Sequence, residues 1–148
     1  MIRKKIKKIL VPLDGSKNSL RGLDEGIYLA RQCQATITGL YVVPLAKPKT
    51  DSQISYIEKH LLNNAAKFMS KAKTRAAQNG ILFEDKVVYG DEGPKIINYA
   101  DTKSYDIIII GSRGLGSLKE AFLGSTSNYV LHKSKIPVLI VKIGRAHV

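Results

Sequence analysis

The chain has 148 residues, of which 44% are hydrophobic and 24% charged, and this length and composition suit one globular domain over residues 1–148. The apolar runs are strand-sized, and the basic segment 1–8 lacks the long apolar core and the cleavage site of a signal peptide, so the sequence predicts a cytoplasmic protein with no membrane span. The net charge of +12 attracts polyanions, but there is no Trp, and seven Tyr and three Phe are scattered along the chain, which disfavours nucleic acid as a partner.

Short apolar segments alternate with amphipathic segments along the chain. The apolar segments are rich in Val, Ile and Thr, as strands are, and the segments between them carry apolar residues at steps of three or four, as helices on a sheet do. In chain order the sequence predicts a strand at 8–13, a helix after Ser16, a strand at 35–43, a helix at 51–79, a strand at 82–89, a helix opening at Gly93 and Pro94, a strand at 106–110, a helix at 125–133 and a strand at 138–141.

This alternation indicates an α/β fold with an open parallel sheet. Strands that are apolar without alternation are expected to be covered on both faces, which places helices on both sides of the sheet. We predict five parallel strands in the order 3-2-1-4-5, with residues 144–148 as a flexible tail. In such a sheet ligands bind beyond the carboxyl ends of the strands where the strand order reverses, here between strands one and four.

A glycine motif follows the fourth predicted strand directly: Gly111-Ser-Arg-Gly114, nine residues, then Gly124-Ser125. Glycine lets backbone N–H groups approach a ligand closely, and the helix predicted after Gly124 offers free N–H donors at the positive end of its dipole. The motif therefore predicts a phosphate site, although the same glycines could serve only tight turns and close packing. The spacing matches neither the P-loop nor G-x-G-x-x-G, so such a site is built differently.

Asp14 follows the first strand and should face Gly111 across the crevice between strands one and four. Its carboxylate could accept hydrogen bonds from a ribose or an adenine edge, with Val42 and Val43 as an apolar wall. Helix capping is the alternative role for Asp14.

On these residues the chain resembles the universal stress protein family, in its ATP-binding branch, over nearly its whole length. The resemblance lies in residues 9–16, 40–43, 106–114 and 136–141, and in the ordered glycine motif between the last two. It implies a Rossmann-like fold that binds ATP in the crevice. It also implies a Mg or Mn ion on the phosphates, although no carboxylate pair marks its site, and a homodimer through the segment that begins at Val138 and ends at Ile143.

The resemblance carries over to individual positions of this sequence. It implies contacts with the nucleoside by Pro12, Asp14, Val42 and Gly90. It implies contacts with the phosphates by Gly111, Ser112, Arg113, Gly114, Gly124, Ser125 and Thr126.

Catalysis is not expected from these residues. Hydrolysis of ATP needs a group that positions water, and no base is evident, while Arg113 and Ser125 suffice for binding. The sequence thus favours a nucleotide-dependent conformational or dimer switch in a stress response, acting on an unidentified protein partner, with at most weak hydrolysis or autophosphorylation. A slow ATPase and a nucleotide-independent stress protein with protein or RNA partners are the alternatives. A response-regulator domain is disfavoured because Asp14 lacks an acidic partner and because the third strand ends Val87-Val-Tyr-Gly90.

Overall fold

Five parallel strands form one sheet in the computed structural model, in the order β3-β2-β1-β4-β5, which confirms the predicted order. The structure describes residues 5–50, 54–113 and 123–142. The strands are β1 (Lys8–Pro12), β2 (Thr36–Val43), β3 (Phe83–Tyr89), β4 (Ile107–Gly111) and β5 (Val138–Val141). The helices are α1 (Lys17–Cys33), α2 (Tyr56–Gln78), α3 (Glu92–Thr102) and α4 (Ser125–Lys133).

Strand β1 lies at the centre of the sheet, with Ile9 opposite Ile37 of β2 on one side and Ile107 of β4 on the other. Its residues Ile9, Leu10 and Val11 are fully buried. A strand covered on both faces needs apolar side chains in both directions, which is why this segment is apolar without alternation.

The helices cover both faces of the sheet, as predicted. Leu23 of α1 and Met69 of α2 pack in one core with Ile109. On the other face, the core around Leu10 and Ile108 includes Ile96 of α3 and Val130 of α4. Because β1, β2 and β4 are parallel neighbours, their carboxyl ends lie together at one end of the sheet.

Helix α2 begins later than the apolar spacing predicted. The Ser55 hydroxyl accepts a hydrogen bond from the N–H of Glu58, at 3.1 Å, and caps the helix there. The helix was predicted to begin at residue 51 because Ile54 and Ile57 continue the helical spacing of its apolar face. Ile57 is 64% exposed, so its assignment to that face was wrong. Residues 51–53, where the helix was predicted to start, lie outside the described residues.

Strand β5 has the predicted bounds but lies at an edge of the sheet. Leu139 keeps 39% of its surface exposed, so the prediction that this strand is covered on both faces was wrong. Ile143 and the tail predicted at 144–148 lie outside the described residues. No helix in the described part of the chain is both long and apolar enough to cross a membrane.

Candidate functional site

The turn between β1 and α1 forms one wall of a cleft at the carboxyl edge of the sheet. Asp14 accepts a hydrogen bond from the N–H of Ser16 at 2.9 Å, and Ser16 in turn caps α1 by accepting from the N–H of Ser19 at 3.1 Å. The capping role that was the alternative for Asp14 therefore falls to Ser16. Asp14 shapes the turn, and its carboxyl group remains part of the cleft lining.

The end of β4 forms the facing wall. A Cβ atom at Gly111 would lie 2.7 Å from Nδ2 and 2.8 Å from the backbone oxygen of Asn18, so only glycine fits against the first turn of α1. The Asn18 amide donates to the carbonyl oxygen of Arg113 at 2.8 Å, which ties α1 to the segment after β4. Gly111 thus has a packing role, and it also lines the cleft.

Ser112 connects β4 to the start of α4. Its carbonyl oxygen accepts hydrogen bonds from the N–H of Gly124 at 2.7 Å and from the Ser127 hydroxyl at 2.6 Å. Gly124 is the N-cap of α4, and glycine has no side chain that could accept a hydrogen bond from the helix. The N–H groups in the first turn of α4 therefore have no side-chain acceptor at the N-cap. Such a helix start is suited to bind an anionic group.

These walls enclose a cleft of about 310 Å³. The sequence-predicted residues that line it are Pro12, Asp14, Val42, Gly111, Arg113, Ser125 and Thr126. The structure therefore brings together residues from β1, β2, β4 and α4 that are far apart in the sequence. Their roles in binding remain predictions.

Three of the predicted site residues are not part of the described cleft lining, and a fourth lies outside the described residues. Gly90 lines an adjoining groove with Pro44 and Glu92, and its φ of +129° is a conformation that favours glycine. Ser112 is buried and Gly124 begins α4, and neither is part of the described cleft lining. Gly114 lies outside the described residues.

Glu92 is the most important lining residue that sequence reasoning missed. It opens α3, and although much of the residue faces solvent, its carboxyl group hydrogen-bonds Thr126 of α4 and interacts with Asp14. Burial of the carboxyl group and then the Asp14 charge raise the pKa of Glu92, while the hydrogen bond from Thr126 opposes the shift. Asp14 therefore does have an acidic partner, which α3 supplies.

Tyr41 of β2 is a second missed residue. Its ring packs edge-on against Phe68, with 5.4 Å between the ring centroids, and the residue lines the cleft. Burial raises the pKa of the Tyr41 hydroxyl, and the charges of Glu92 and Asp14 raise it further. The hydroxyl thus remains neutral beside two carboxyl groups.

A metal centre made by the protein alone is not found in the described part of the chain. No three His, Cys, Asp or Glu side chains there come close enough to share an ion. Within the described lining of the cleft, the charged side chains are Asp14, Glu92 and Arg113.

The sheet order and the position of the cleft define a Rossmann-like α/β protein with a cleft at the switch point of the sheet, where such folds bind ligands. The model of the universal stress protein family matches residues 5–142, and the chain belongs to that family.

Individual relatives agree with this assignment over most of their length. The universal stress protein YxiE of Bacillus subtilis is 36% identical in an alignment 145 residues long, and the match covers 91% of this chain and 98% of the relative. The solved universal stress protein UspA from Lactobacillus plantarum is 26% identical, with a TM-score of 0.81 over 95% of this chain and all of that one. A crystal structure of a universal stress protein in complex with cAMP shares the fold, at 22% identity and a TM-score of 0.79 over 95% of this chain and 100% of that one.

Proposed function

We propose that this chain is an ATP-binding regulatory protein of the stress response, built as one nucleotide-binding domain. One observation supports this most. Arg113 and the start of α4, which has no side-chain cap, line the same cleft as the carboxyl ends of β1 and β2. The cation and the helix start suit phosphates, and the strand ends suit a nucleoside.

The proposed arrangement of ATP follows the lining. The nucleoside lies toward Pro12, Asp14 and Val42, where a carboxylate adjoins apolar surface, with its sugar on the side of Gly90. The phosphates lie toward Gly111, Arg113 and the first turn of α4 with Ser125 and Thr126. Phosphate contacts by Ser112, Gly114 and Gly124 are proposed on the family resemblance alone. A Mg or Mn ion would be held by the phosphates themselves, and no protein ligand is assigned to it.

ATP would act by favouring one conformation or one dimer arrangement over another, which requires different affinities for the two states. The proposed interface is the outer edge of β5 in the segment 138–143, since Leu139 is 39% exposed there. A cytoplasmic location fits a chain whose only cysteine, Cys33, is a free, half-buried thiol.

Calorimetric titration with ATP, ADP, AMP and cAMP, with and without magnesium, tests the proposal. The informative variant is Arg113→Gln, and its matched control is Arg31→Gln, an exposed residue in the last turn of α1 at the other end of the sheet. Loss of a charge-assisted hydrogen bond should weaken ATP binding by about tenfold or more in the first variant only. Absence of ATP binding by the wild-type protein would contradict the proposal and favour a nucleotide-independent stress protein.

A further inference from the structure

Two carboxyl groups lie in a cleft that otherwise suits an anion. Asp14 and Glu92 both line it, and the Glu92 carboxyl group hydrogen-bonds Thr126 in the first turn of α4. This is the helix start whose N-cap, Gly124, provides no acceptor. In the ligand-free protein Glu92 therefore places a negative group close to the helix end where an anionic ligand gains most.

The titratable groups around Glu92 come from several of the elements that surround the cleft. Within the described lining, β2 contributes the neutral hydroxyl of Tyr41, and α2 contributes the apolar side chain of Leu61. The described titratable or charged groups near Glu92 are Asp14 after β1, Tyr41 on β2, Arg113 after β4, Asp91 at the N-cap of α3 and Lys95 on α3. One guanidinium thus faces two carboxyl groups within the described lining.

We propose that Glu92 determines how many phosphate charges this cleft accepts, because a polyphosphate binds together with a proton taken up by Glu92; this rests on the proposed nucleotide function. A triphosphate meets more repulsion from the Glu92 carboxylate than a monophosphate does. Glu92 therefore sets the selectivity between triphosphates and monophosphates, and protonation of its carboxylate removes the repulsion.

The sign of the pH dependence follows from the same contacts. The pKa of Glu92 is already raised in the free protein, and a bound polyphosphate raises it further because it disfavours a second negative charge nearby. ATP affinity therefore falls as the pH rises from the free-state pKa to the bound-state pKa of Glu92, and it reaches a plateau at lower pH.

The test compares Glu92→Gln with the wild type at about pH 6 and about pH 8, using ATP and AMP. Glutamine keeps the size of the side chain and removes its charge. The matched control is Glu84→Gln, since Glu84 is exposed near the start of β3, at the other end of the sheet, and is paired with Lys86 at 2.8 Å. The titration of ATP itself cancels in the ratio of the two affinities at each pH.

We expect Glu92→Gln to tighten ATP binding about tenfold at the higher pH, the factor that corresponds to a change of one unit in the pKa of Glu92. The gain should shrink at the lower pH and be smaller for AMP, and Glu84→Gln should change neither affinity. At the lower pH, calorimetry in buffers of different ionisation enthalpy should show that ATP binding takes up more protons in the wild type than in Glu92→Gln. This measurement does not depend on the folded stability of the variant.

Equal affinities and equal proton uptake in the wild type and Glu92→Gln would overturn the inference, while ATP binding itself would leave the proposed function standing. A loss of ATP affinity in Glu92→Gln at both pH values would also overturn it, because Glu92 would then hold the ligand, for example through a sugar hydroxyl. If the wild type binds no ATP at either pH, the proposed function fails and this inference fails with it.

Discussion

Replacement of Gly111 by alanine separates the packing role of this glycine from ligand binding. The new Cβ would lie 2.7, 2.8 and 3.1 Å from three atoms of Asn18, two of which belong to the backbone of α1. Backbone atoms cannot rotate away, so the first turn of α1 must shift, and overpacking of this kind costs about 1–3 kcal/mol. The smaller conformational entropy of the unfolded chain returns about 0.4–1 kcal/mol. We therefore expect Gly111→Ala to lower the free energy of unfolding by about 1–2 kcal/mol.

The matched comparison is Gly124→Ala. Gly124 has φ of −64° and ψ of 160°, which any residue adopts, so its backbone does not require glycine. Alanine is a poorer N-cap, but the entropy gain offsets part of that loss, and we expect a change within about 0.5 kcal/mol. Urea denaturation followed by circular dichroism measures both variants. If Gly111→Ala proves as stable as the wild type, or less perturbed than Gly124→Ala, the close approach of α1 to β4 is refuted.

Two further predictions concern the core and the sheet edge. Tyr105→Phe removes a buried hydrogen bond of 2.7 Å to the hydroxyl of Thr38 and should lower the free energy of unfolding by about 1–2 kcal/mol. Tyr28→Phe is the control, because Tyr28 is 64% exposed and its replacement should change the stability little. Equal denaturation midpoints for the two variants would contradict this prediction. Leu139→Lys places a charge on the exposed edge strand β5 and should convert the proposed dimer to a monomer, which light scattering measures. Leu82→Lys is the control, because Leu82 is 75% exposed next to the opposite edge strand and its replacement should leave the dimer intact. An unchanged dimer in Leu139→Lys would exclude this edge as the interface.

Much of the fold was predictable because local signals agreed with the tertiary structure. Helix α4 and strand β5 have the predicted bounds, since Gly124 precedes the helix and Pro137 the strand. Helix α2 was predicted too long because Ile54 and Ile57 have helical spacing, yet the capping bond from Glu58 to Ser55 starts the helix between them. Apolar spacing alone does not locate a cap.

The cleft was predicted only in part, because its residues are brought together by the strand order and not by local sequence signals. The strand order brings Asp14 and Gly111 together, and that order was inferred from the alternation of strands and helices. Glu92 was missed because α3 was predicted to open at Gly93, so its acidic first residue was left in a loop. Its position directly after the carboxyl end of β3 was the available signal. Tyr41 resembled an ordinary core residue of β2, and only the tertiary structure places it beside two carboxyl groups.

The central claim is that this cleft binds ATP, and amide NMR spectra of the labelled protein during an ATP titration test it most directly. The amide signals of Gly111, Ser125 and Thr126 should shift along one saturable curve, because these residues line the proposed phosphate side of the cleft. The signal of Gly80 should remain unchanged, because Gly80 lines a groove at the other end of the sheet, where β2 and β3 begin. Saturable binding that shifts Gly80 but leaves the three cleft amides in place, or no shift at any of them, would contradict the account.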